Sequence, residues 1–364
     1  MSDTIGEAQL TRSVSFFNYP HVFLSEREPL LRTIDLVAAR GAFILQDEMV
    51  AFEHNLAAFL SVSWALGVGV ATDGLHFDVC AAGLGPGDEV LMSSHTMIAT
   101  AAAVHFAGAT PVPVDCGPDH LIDPAAVAAA VNSRTRAVMP TQLNGRTCNM
   151  DALQAIADKH GLLIIEDAAQ ALGSRFKGRC AGTFGIAGAI SFYHAKVLGC
   201  LGDGGAVITN DDAIYERIYQ MRDHGRNTKG EIVSWGLNSR LDNLQAALLD
   251  FQLKKYESVM CRRRKLAIVY TERLKDVAEI ALPPAPDSDP DHFDIYQNYE
   301  IEAEKRDDLK QYLKEHGIGT LIQWGGQAVH QLKALGFTQH LPYTDRLFAR
   351  LLMLPMNMSL SDDD

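Results

Sequence analysis

The sequence of 364 residues predicts an α/β protein: a mostly parallel central sheet with helices on both faces, then a smaller α+β domain. Three observations predict it. Short apolar runs alternate with helical patterns from Trp64 to Ile165. One of them, Leu162 to Ile165, is apolar at every position, as a strand covered on both faces of a parallel sheet must be. Leu282-Pro283-Pro284-Ala285-Pro286-Asp287 then forms a loop that marks off a C-terminal unit. The expected division is 1–255 for the large domain and 256–364 for the small one, since the length exceeds one average domain.

The net charge of -13 argues against nonspecific nucleic-acid binding and against a basic membrane-facing patch. It leaves room for a phosphate held locally by backbone N–H groups at a helix start. Apolar residues make up 47% of the chain, enough for a large core. The six cysteines, Cys80, Cys116, Cys148, Cys180, Cys200 and Cys261, form no CxxC pair, and the N-terminus does not read as a signal peptide. Reduced thiols in the cytoplasm are therefore expected, with no zinc or iron–sulfur site. No apolar stretch reaches the length of a membrane span.

In chain order, the first ten residues are polar and expected to be loosely held. Ser25 to Ala39 reads as a helix with a Leu30, Leu31, Ile34, Leu36, Val37 stripe. Gln46 to Leu60 reads as a second helix, in which Glu53 and His54 are given solvated or capping roles. Trp64 to Val70 is a strand, Ala71-Thr72-Asp73-Gly74 a turn, and Leu75 to Ala82 a helix. A hydroxyl in a small-residue turn ahead of a helix suits a phosphate, although Thr72 or Asp73 acting only as an N-cap is the commoner arrangement. Val90–Met92, Ile98–Ala107, Thr110–Val114, Pro124–Val131, Ala137–Pro140 and Met150–His160 continue the alternation as strand, helix, strand, helix, strand, helix. The buried strand at 162–165 delivers Asp167 at its tip, where a carboxylate needs a partner: a protonated pyridine nitrogen, a backbone N–H or an arginine.

The stretch Ala189 to Asp211 carries Lys196 between an apolar run and Gly202-Asp203-Gly204-Gly205. A lysine taken out of water loses the hydration of its ammonium, so its pKa falls and the neutral amine becomes a nucleophile of the Schiff-base kind. The plainer alternative is a surface lysine on a β-hairpin, and the stretch alone does not separate the two. Taken together, Thr72, Asp73, Asp167, Gln170, Ser191 and Lys196 match a cofactor that has a phosphate, a pyridine nitrogen, a phenolic oxygen and an aldehyde. Pyridoxal phosphate has those four groups.

Ordered motifs then extend along nearly the whole chain: GLGPGDEV (83–90), SSHTMIATAAAVHFAGATPVPVD (93–115), LIIEDAAQALGS (163–174), SFYHAKVLGCLGDGGAVITND (191–211), RDHGR (222–226) and GLNSRLDNLQAALL (236–249). With these the sequence resembles the DegT/DnrJ/EryC1/StrS sugar aminotransferases, which are pyridoxal-phosphate enzymes of fold type I. The resemblance implies that Lys196 is the Schiff-base lysine, that Asp167 pairs with the pyridine nitrogen, and that Gln170 bonds the phenolic oxygen. It implies that Thr72, Asp73 and Ser191 hold the phosphate and that Asn238 reaches it from a second subunit, so that a homodimer shares its active sites. L-Glutamate would donate the amino group, leaving 2-oxoglutarate, and a keto or aldehydo sugar would accept it, in amino-sugar or cell-surface polysaccharide (lipopolysaccharide) biosynthesis.

Two departures stand out. Ala71 replaces the usual glycine before Thr72, and Met97 stands where an aromatic residue usually stacks on the cofactor ring. The alternatives carried alongside are a sugar dehydratase of the same family, which has histidine in place of the lysine, and a noncatalytic regulator that binds the cofactor. His194 lies two residues before Lys196 and does not replace it.

Toward the C-terminus, Arg222, His224, Arg226, Lys229 and Arg240 read either as an anion-binding cluster or as a solvated loop. Asn243 to Met260 reads as one long helix continued by exposed charge at Arg262 to Lys265. Asn298–Glu302 is expected as a strand, Asp307–His316 as a helix and Gly319–Trp324 as a strand. Trp324 and His330 occupy the segment that lies near the sugar in the family. Its altered sequence suggests a separate substrate branch, in which an eight-carbon 3-deoxy-octulosonate sugar is aminated in place of a nucleotide hexose. Ser361 to Asp364 reads as a helix start, where family members continue with one more helix.

Overall fold

Alternation of strand and helix dictates most of the architecture. The computed structural model describes residues 13–364, so the expectation for the first ten residues lies outside the described residues. A short helix α1 (Tyr19–Leu24) precedes α2 (Arg27–Ala38) and α3 (Asp47–Leu60). The alternating part runs β1 (Trp64–Val68), α4 (Ala71–Ala81), β2 (Glu89–Ser93), α5 (Ile98–Phe106), β3 (Thr110–Val114), α6 (Pro124–Ala130), β4 (Thr135–Met139), α7 (Met150–His160) and β5 (Leu163–Asp167). A small ribbon, β6 (Arg175–Phe176) and β7 (Arg179–Cys180), leads to β8 (Ala187–Ser191), β9 (Gly205–Thr209) and α8 (Asp212–Met221). Then follow α9 (Asn243–Leu253), α10 (Tyr256–Leu274), β10 (Ile280–Ala281), β11 (His292–Phe293), β12 (Tyr299–Ala303), α11 (Arg306–Glu315), α12 (Pro342–Arg350) and β13 (Leu351–Leu354).

The main sheet has the order β1-β9-β8-β5-β4-β2-β3. The pairs among β3, β2, β4, β5 and β8 are parallel, and only β9 runs against its neighbours β8 and β1. The strands are short and apolar because both faces are covered; β2 and β9 are buried at every position. Helix ends follow local chemistry. Asp123 caps α6 with Pro124 in its first turn. Asp211 caps α8 by accepting from Ala213 and Ile214 N–H, and Gly161 closes α7 at φ 64°. A second sheet, β10-β12-β13, is antiparallel throughout. The expected boundary at 255/256 falls at the start of α10, yet β11, beyond it, pairs with β6 of the earlier part.

Several expectations are corrected. Thr72 and Asp73 belong to the first turn of α4, not to a turn ahead of it, because Ala71 already opens the helix. The long helix after Asn243 breaks at Lys254 and Lys255 into α9 and α10. Arg263 and Arg264 are buried rather than exposed. Arg263 donates to the carbonyls of Tyr296 and Gln297, and Arg264 to that of Asp294. Gly319–Trp324 forms no strand: a single bridge from Leu321 to Met353 gives way to a tight turn at Gln323–Gly326, with Trp324 at φ 47°. Residues 361–364 form a turn in which the Asp364 carboxylate accepts from Ser361 N–H. Helix α12 and strand β13 have a signal that pattern reading passed over, a proline at the first turn and the run Leu351-Leu352-Met353-Leu354.

Glu53 is neither solvated nor a cap. Its Oε1 accepts from Gly67 N–H at 2.6 Å and from the Arg222 guanidinium, which is buried and also donates to the Gly67 carbonyl at 3.0 Å. This pair fastens α3 and the segment after α8 to β1. Replacing Glu53 by alanine strands a buried cation, and Glu53→Ala is expected to lose about 3 kcal/mol of stability. A fall in the urea unfolding midpoint at unchanged m-value checks this; an unchanged midpoint refutes it.

Candidate active site

The parallel strands present their C-terminal ends to one side, where an open α/β sheet binds ligands. Five segments meet there: the first turn of α4 after β1, Ser94–Met97 after β2, Thr141–Asn144 after β4, Asp167–Gln170 at the tip of β5, and the connection 192–204 between β8 and β9.

That connection makes β8 and β9 a true antiparallel hairpin, in register from Gly188–Ile208 to Ser191–Gly205. The two alternatives for Lys196 are therefore not exclusive: it lies on a hairpin and is half-buried there. The loop folds back on itself through Phe192 N–H to Gly204 carbonyl (2.9 Å), Lys196 N–H to Tyr193 carbonyl (2.8 Å) and Cys200 N–H to Phe192 carbonyl (2.8 Å). Gln297, from the segment before β12, brackets the lysine: its Oε1 accepts from Val197 N–H at 3.0 Å and its Nε2 donates to the Ala195 carbonyl at 3.0 Å. Sequence reasoning missed Gln297, which lies 101 positions beyond Lys196 in a segment with no motif. Lys196 itself borders a cavity of about 620 Å³ whose walls include Phe17, Tyr19, His194 and Gln297. Burial pushes its amine down to about 8, against the opposing pull of the Asp167 charge.

Asp167 ends β5, 4% exposed. Burial raises its pKa; the Thr100 hydroxyl at 2.6 Å, the Ala169 N–H at 3.1 Å and the Lys196 charge pull the other way. Next to it in sequence, buried Glu166 is taken up entirely by structure, accepting from Gln142 and from the N–H groups of Gly182, Phe184 and Gly185. Gln170 accepts through Oε1 from Asn144 N–H (3.1 Å) and Asn298 Nδ2 (3.3 Å), which leaves its amide nitrogen as the end free to donate.

On the far side, the first turn of α4 exposes N–H groups that have no partner within the helix. Gly205 lets this turn press against the hairpin, since a Cβ there would lie 2.6 Å from Ala71 N. Ser191 pairs in register with Gly205, so its hydroxyl sits beside the same turn. Ala71 is not among the residues at positive φ, so it meets no strain in place of a glycine. The Asp73 carboxylate accepts from the Ser239 hydroxyl at 2.6 Å, while the neighbouring Asn238 is exposed and bridged through its backbone to Asp223. Met97 is 48% exposed and caps α5 through its sulfur, 3.1 Å from Ala99 N.

The residues expected to read the substrate each have partners within the chain. Arg240 donates to Asp223 at 2.6 Å. His330 is buried, with Nδ1 2.6 Å from the Ser94 hydroxyl and Nε2 2.9 Å from Asp345. Trp324 packs edge-on to His95 and face-to-face with Phe348. Three of the five members of the basic cluster are paired within the chain: Arg222 with Glu53, and Arg226 and Arg240 with the one carboxylate of Asp223. Among the described residues no group of three or more His, Cys, Asp or Glu is arranged for a metal ion, and no helix is long and apolar enough to cross a membrane.

The model of the DegT/DnrJ/EryC1/StrS aminotransferase family matches residues 25–364. The chain is 41% identical to the dTDP-3-amino-3,4,6-trideoxy-alpha-D-glucose transaminase of Streptomyces venezuelae over 86% of this chain and 82% of that protein. The crystal structure of S. venezuelae DesV in complex with a ketimine intermediate superposes with a TM-score of 0.91 at 39% identity, covering 95% of this chain and 94% of that one. NtdA from Bacillus subtilis, solved with bound cofactor PMP, superposes with a TM-score of 0.86 at 27% identity, covering 94% and 80%.

The perturbed lysine is directly measurable. In the cofactor-free protein, labelling of Lys196 by an amine-directed reagent, followed peptide by peptide with mass spectrometry, is expected to rise with a midpoint near pH 8. In Asp167→Asn the midpoint moves lower, because the charge that favours the ammonium is gone. A midpoint at the value of an ordinary surface lysine refutes the buried amine.

Proposed function

The chain belongs to the DegT/DnrJ/EryC1/StrS aminotransferase family, a pyridoxal-phosphate group of fold type I, and from that premise we propose that it transfers the amino group of L-glutamate to a keto group on a nucleotide-linked deoxysugar. The single observation that carries this reading is a half-buried lysine with a depressed amine, in the β8–β9 connection, facing the buried carboxylate at the tip of β5. Of the two substrate branches read from the sequence, the nucleotide-linked one is favoured, because the relative at 41% identity is named for a dTDP-sugar. The intact Lys196 favours transamination over the dehydratase and over a noncatalytic regulator.

The residues present fit pyridoxal phosphate. A buried carboxylate suits its ring nitrogen, the undirected Gln170 amide suits its phenolic oxygen, and the first turn of α4 with Ser191 suits its phosphate. When bound, this group supplies the electron sink that lets an amino group be detached from one carbon and delivered to another. Lys196 would hold the cofactor through Nζ, and its free amine would carry the proton taken from the donor's α-carbon. An amine near 8 is suited to both halves, since it is exchanged between charged and neutral forms at modest cost. Asp167 keeps the ring nitrogen protonated, and the Gln297 bracket limits where Nζ travels.

A homodimer completes the site in this reading, with Asn238 of the partner subunit at the phosphate. Its support is the exposed segment just before Asn238, where Ile232, Val233 and Leu237 face outward and Trp235 is 98% exposed. Six free cysteines support a reducing, cytoplasmic setting.

The test is a coupled assay. Protein loaded with pyridoxal phosphate and given L-glutamate with a 3-keto dTDP-deoxyhexose is expected to release 2-oxoglutarate in step with amino sugar, and Lys196→Ala to lower this by at least about 10⁴-fold. Deoxygenation of the sugar without 2-oxoglutarate overturns the reading. Asn238→Ala is expected to weaken cofactor retention without altering the oligomeric mass.

A further inference from the structure

Three buried threonines from two parts of the chain lead to Asp167, and the mechanism above uses none of them. The Thr141 hydroxyl donates to Thr96 at 2.9 Å, Thr96 and Thr100 are joined at 2.8 Å, and Thr100 donates to Asp167 Oδ2 at 2.6 Å. Their exposures are 4%, 1% and 0%, so water does not compete for these hydroxyls.

Proton counting fixes the direction. Each hydroxyl has one hydrogen, and an ionised carboxylate only accepts. Thr100 spends its hydrogen on Asp167, so the bond between Thr96 and Thr100 is donated by Thr96, whose hydroxyl also faces the carboxylate and favours its charged form, and Thr141 donates to Thr96. All three dipoles run one way, toward the carboxylate, and bonds in such a chain strengthen one another in a low dielectric. If Asp167 were protonated, the chain would lose its fixed direction.

The chain also closes on itself. Thr141 is bridged in parallel to Asp167 through the backbone, with Gln142 N–H on the Asp167 carbonyl at 2.8 Å and Asp167 N–H on the Pro140 carbonyl at 3.0 Å. The ends of β2, β4 and β5 and the first turn of α5 are thus stapled at one carboxylate. The charged group facing Asp167 is Lys196; Glu166 turns to the other side of the strand, where its own donors hold it.

We propose that Thr141, Thr96 and Thr100 form a one-way hydrogen-bond chain that keeps the Asp167 carboxylate ionised and aimed at the cofactor's ring nitrogen, which makes them positioning residues for the transfer. The role of the ring nitrogen rests on the aminotransferase reading; the state of Asp167 does not. Ala169 N–H alone would leave one carboxylate oxygen without a donor in a buried site, which the chain prevents.

The experiment is an infrared titration of the cofactor-free protein, with the Asp167 carboxyl band isolated by subtracting the Asp167→Asn spectrum. Thr100→Val is expected to raise the Asp167 midpoint by about one to two pH units, the effect of removing one bond to a charged group. Thr141→Val, two bonds away, is expected to raise it by a smaller but measurable amount, and Thr100→Ser to restore it. In parallel, the dissociation constant for pyridoxal phosphate, read by fluorescence quenching, should rise about tenfold in Thr100→Val and recover in Thr100→Ser, as a loss of about 1.4 kcal/mol of ion pairing predicts. An unchanged midpoint in Thr100→Val overturns the proposal. So does a shift in Thr100→Val with none in Thr141→Val, since that leaves a single bond and no chain. If Thr100→Val does not fold, Thr141→Val carries the test alone, with Thr100→Ser as the conservative control, and an unchanged midpoint in Thr141→Val then overturns the proposal. The infrared arm needs neither cofactor nor substrate, so it succeeds or fails independently of whether a sugar is aminated.

Discussion

Asp167 and Lys196 are carried into the interior by adjacent parallel strands, β5 and the start of the β8–β9 hairpin, and each is taken out of water with few partners of its own. Either ion buried alone would be expensive. Together they offset part of that cost, and the residue of it shows as an amine near 8 and a carboxyl raised by burial. Much of the surrounding structure serves this pair. The threonine chain supplies Asp167 with a donor, and the loop 192–204 is hydrogen-bonded into one conformation. Gly205 lets the donor-rich start of α4 close the other side.

The C-terminal part is tied to the site more tightly than a separate substrate domain would be. Gln297 grips the lysine loop, and its carbonyl is held by buried Arg263 of α10. Asn298 reaches both Asn144 and Gln170. Two residues further on, Glu300 of β12 accepts from Asn144 and meets His120 at 2.9 Å. Burial alone would raise the Glu300 carboxyl, but His95 and His120 hold it at about 2, while the His120 ring, opposed by burial, is lifted to about 9 by Glu300 and Glu302. A change in how β12 sits would therefore reach both Gln170 and the lysine loop through direct hydrogen bonds.

Charge in this chain is mostly structural. Arginines that looked available for an anionic substrate are spent on Glu53, Asp223 and backbone carbonyls, as are those of α10. A guanidinium buried with several acceptors crosslinks segments far apart in sequence. That leaves the helix start of α4 as the donor-rich place for a phosphate, which reconciles an acidic protein with an anionic cofactor.

By itself the sequence determined the order and type of the elements from β1 to β5 and the tip position of Asp167, and it singled out Lys196 without deciding its setting. Apolar periodicity, capping residues and glycine-bounded runs are local signals, and they survive in one dimension. It also carried the family, because ordered motifs do not depend on contacts. Only the tertiary structure decided that Lys196 lies on a hairpin and is nonetheless half-buried, that Glu53 and Arg222 are one pair, and that Arg263 and Arg264 face inward. It alone brought Gln297 to the lysine and the three threonines to Asp167. It also packed Trp324 against His95 and bonded His330 to Ser94 and Asp345. Each of these outcomes depends on which distant backbone group or side chain meets a polar atom, and sequence separation hides that pairing. The physical reason is the same throughout: a buried polar group must find a partner, and the fold chooses which one.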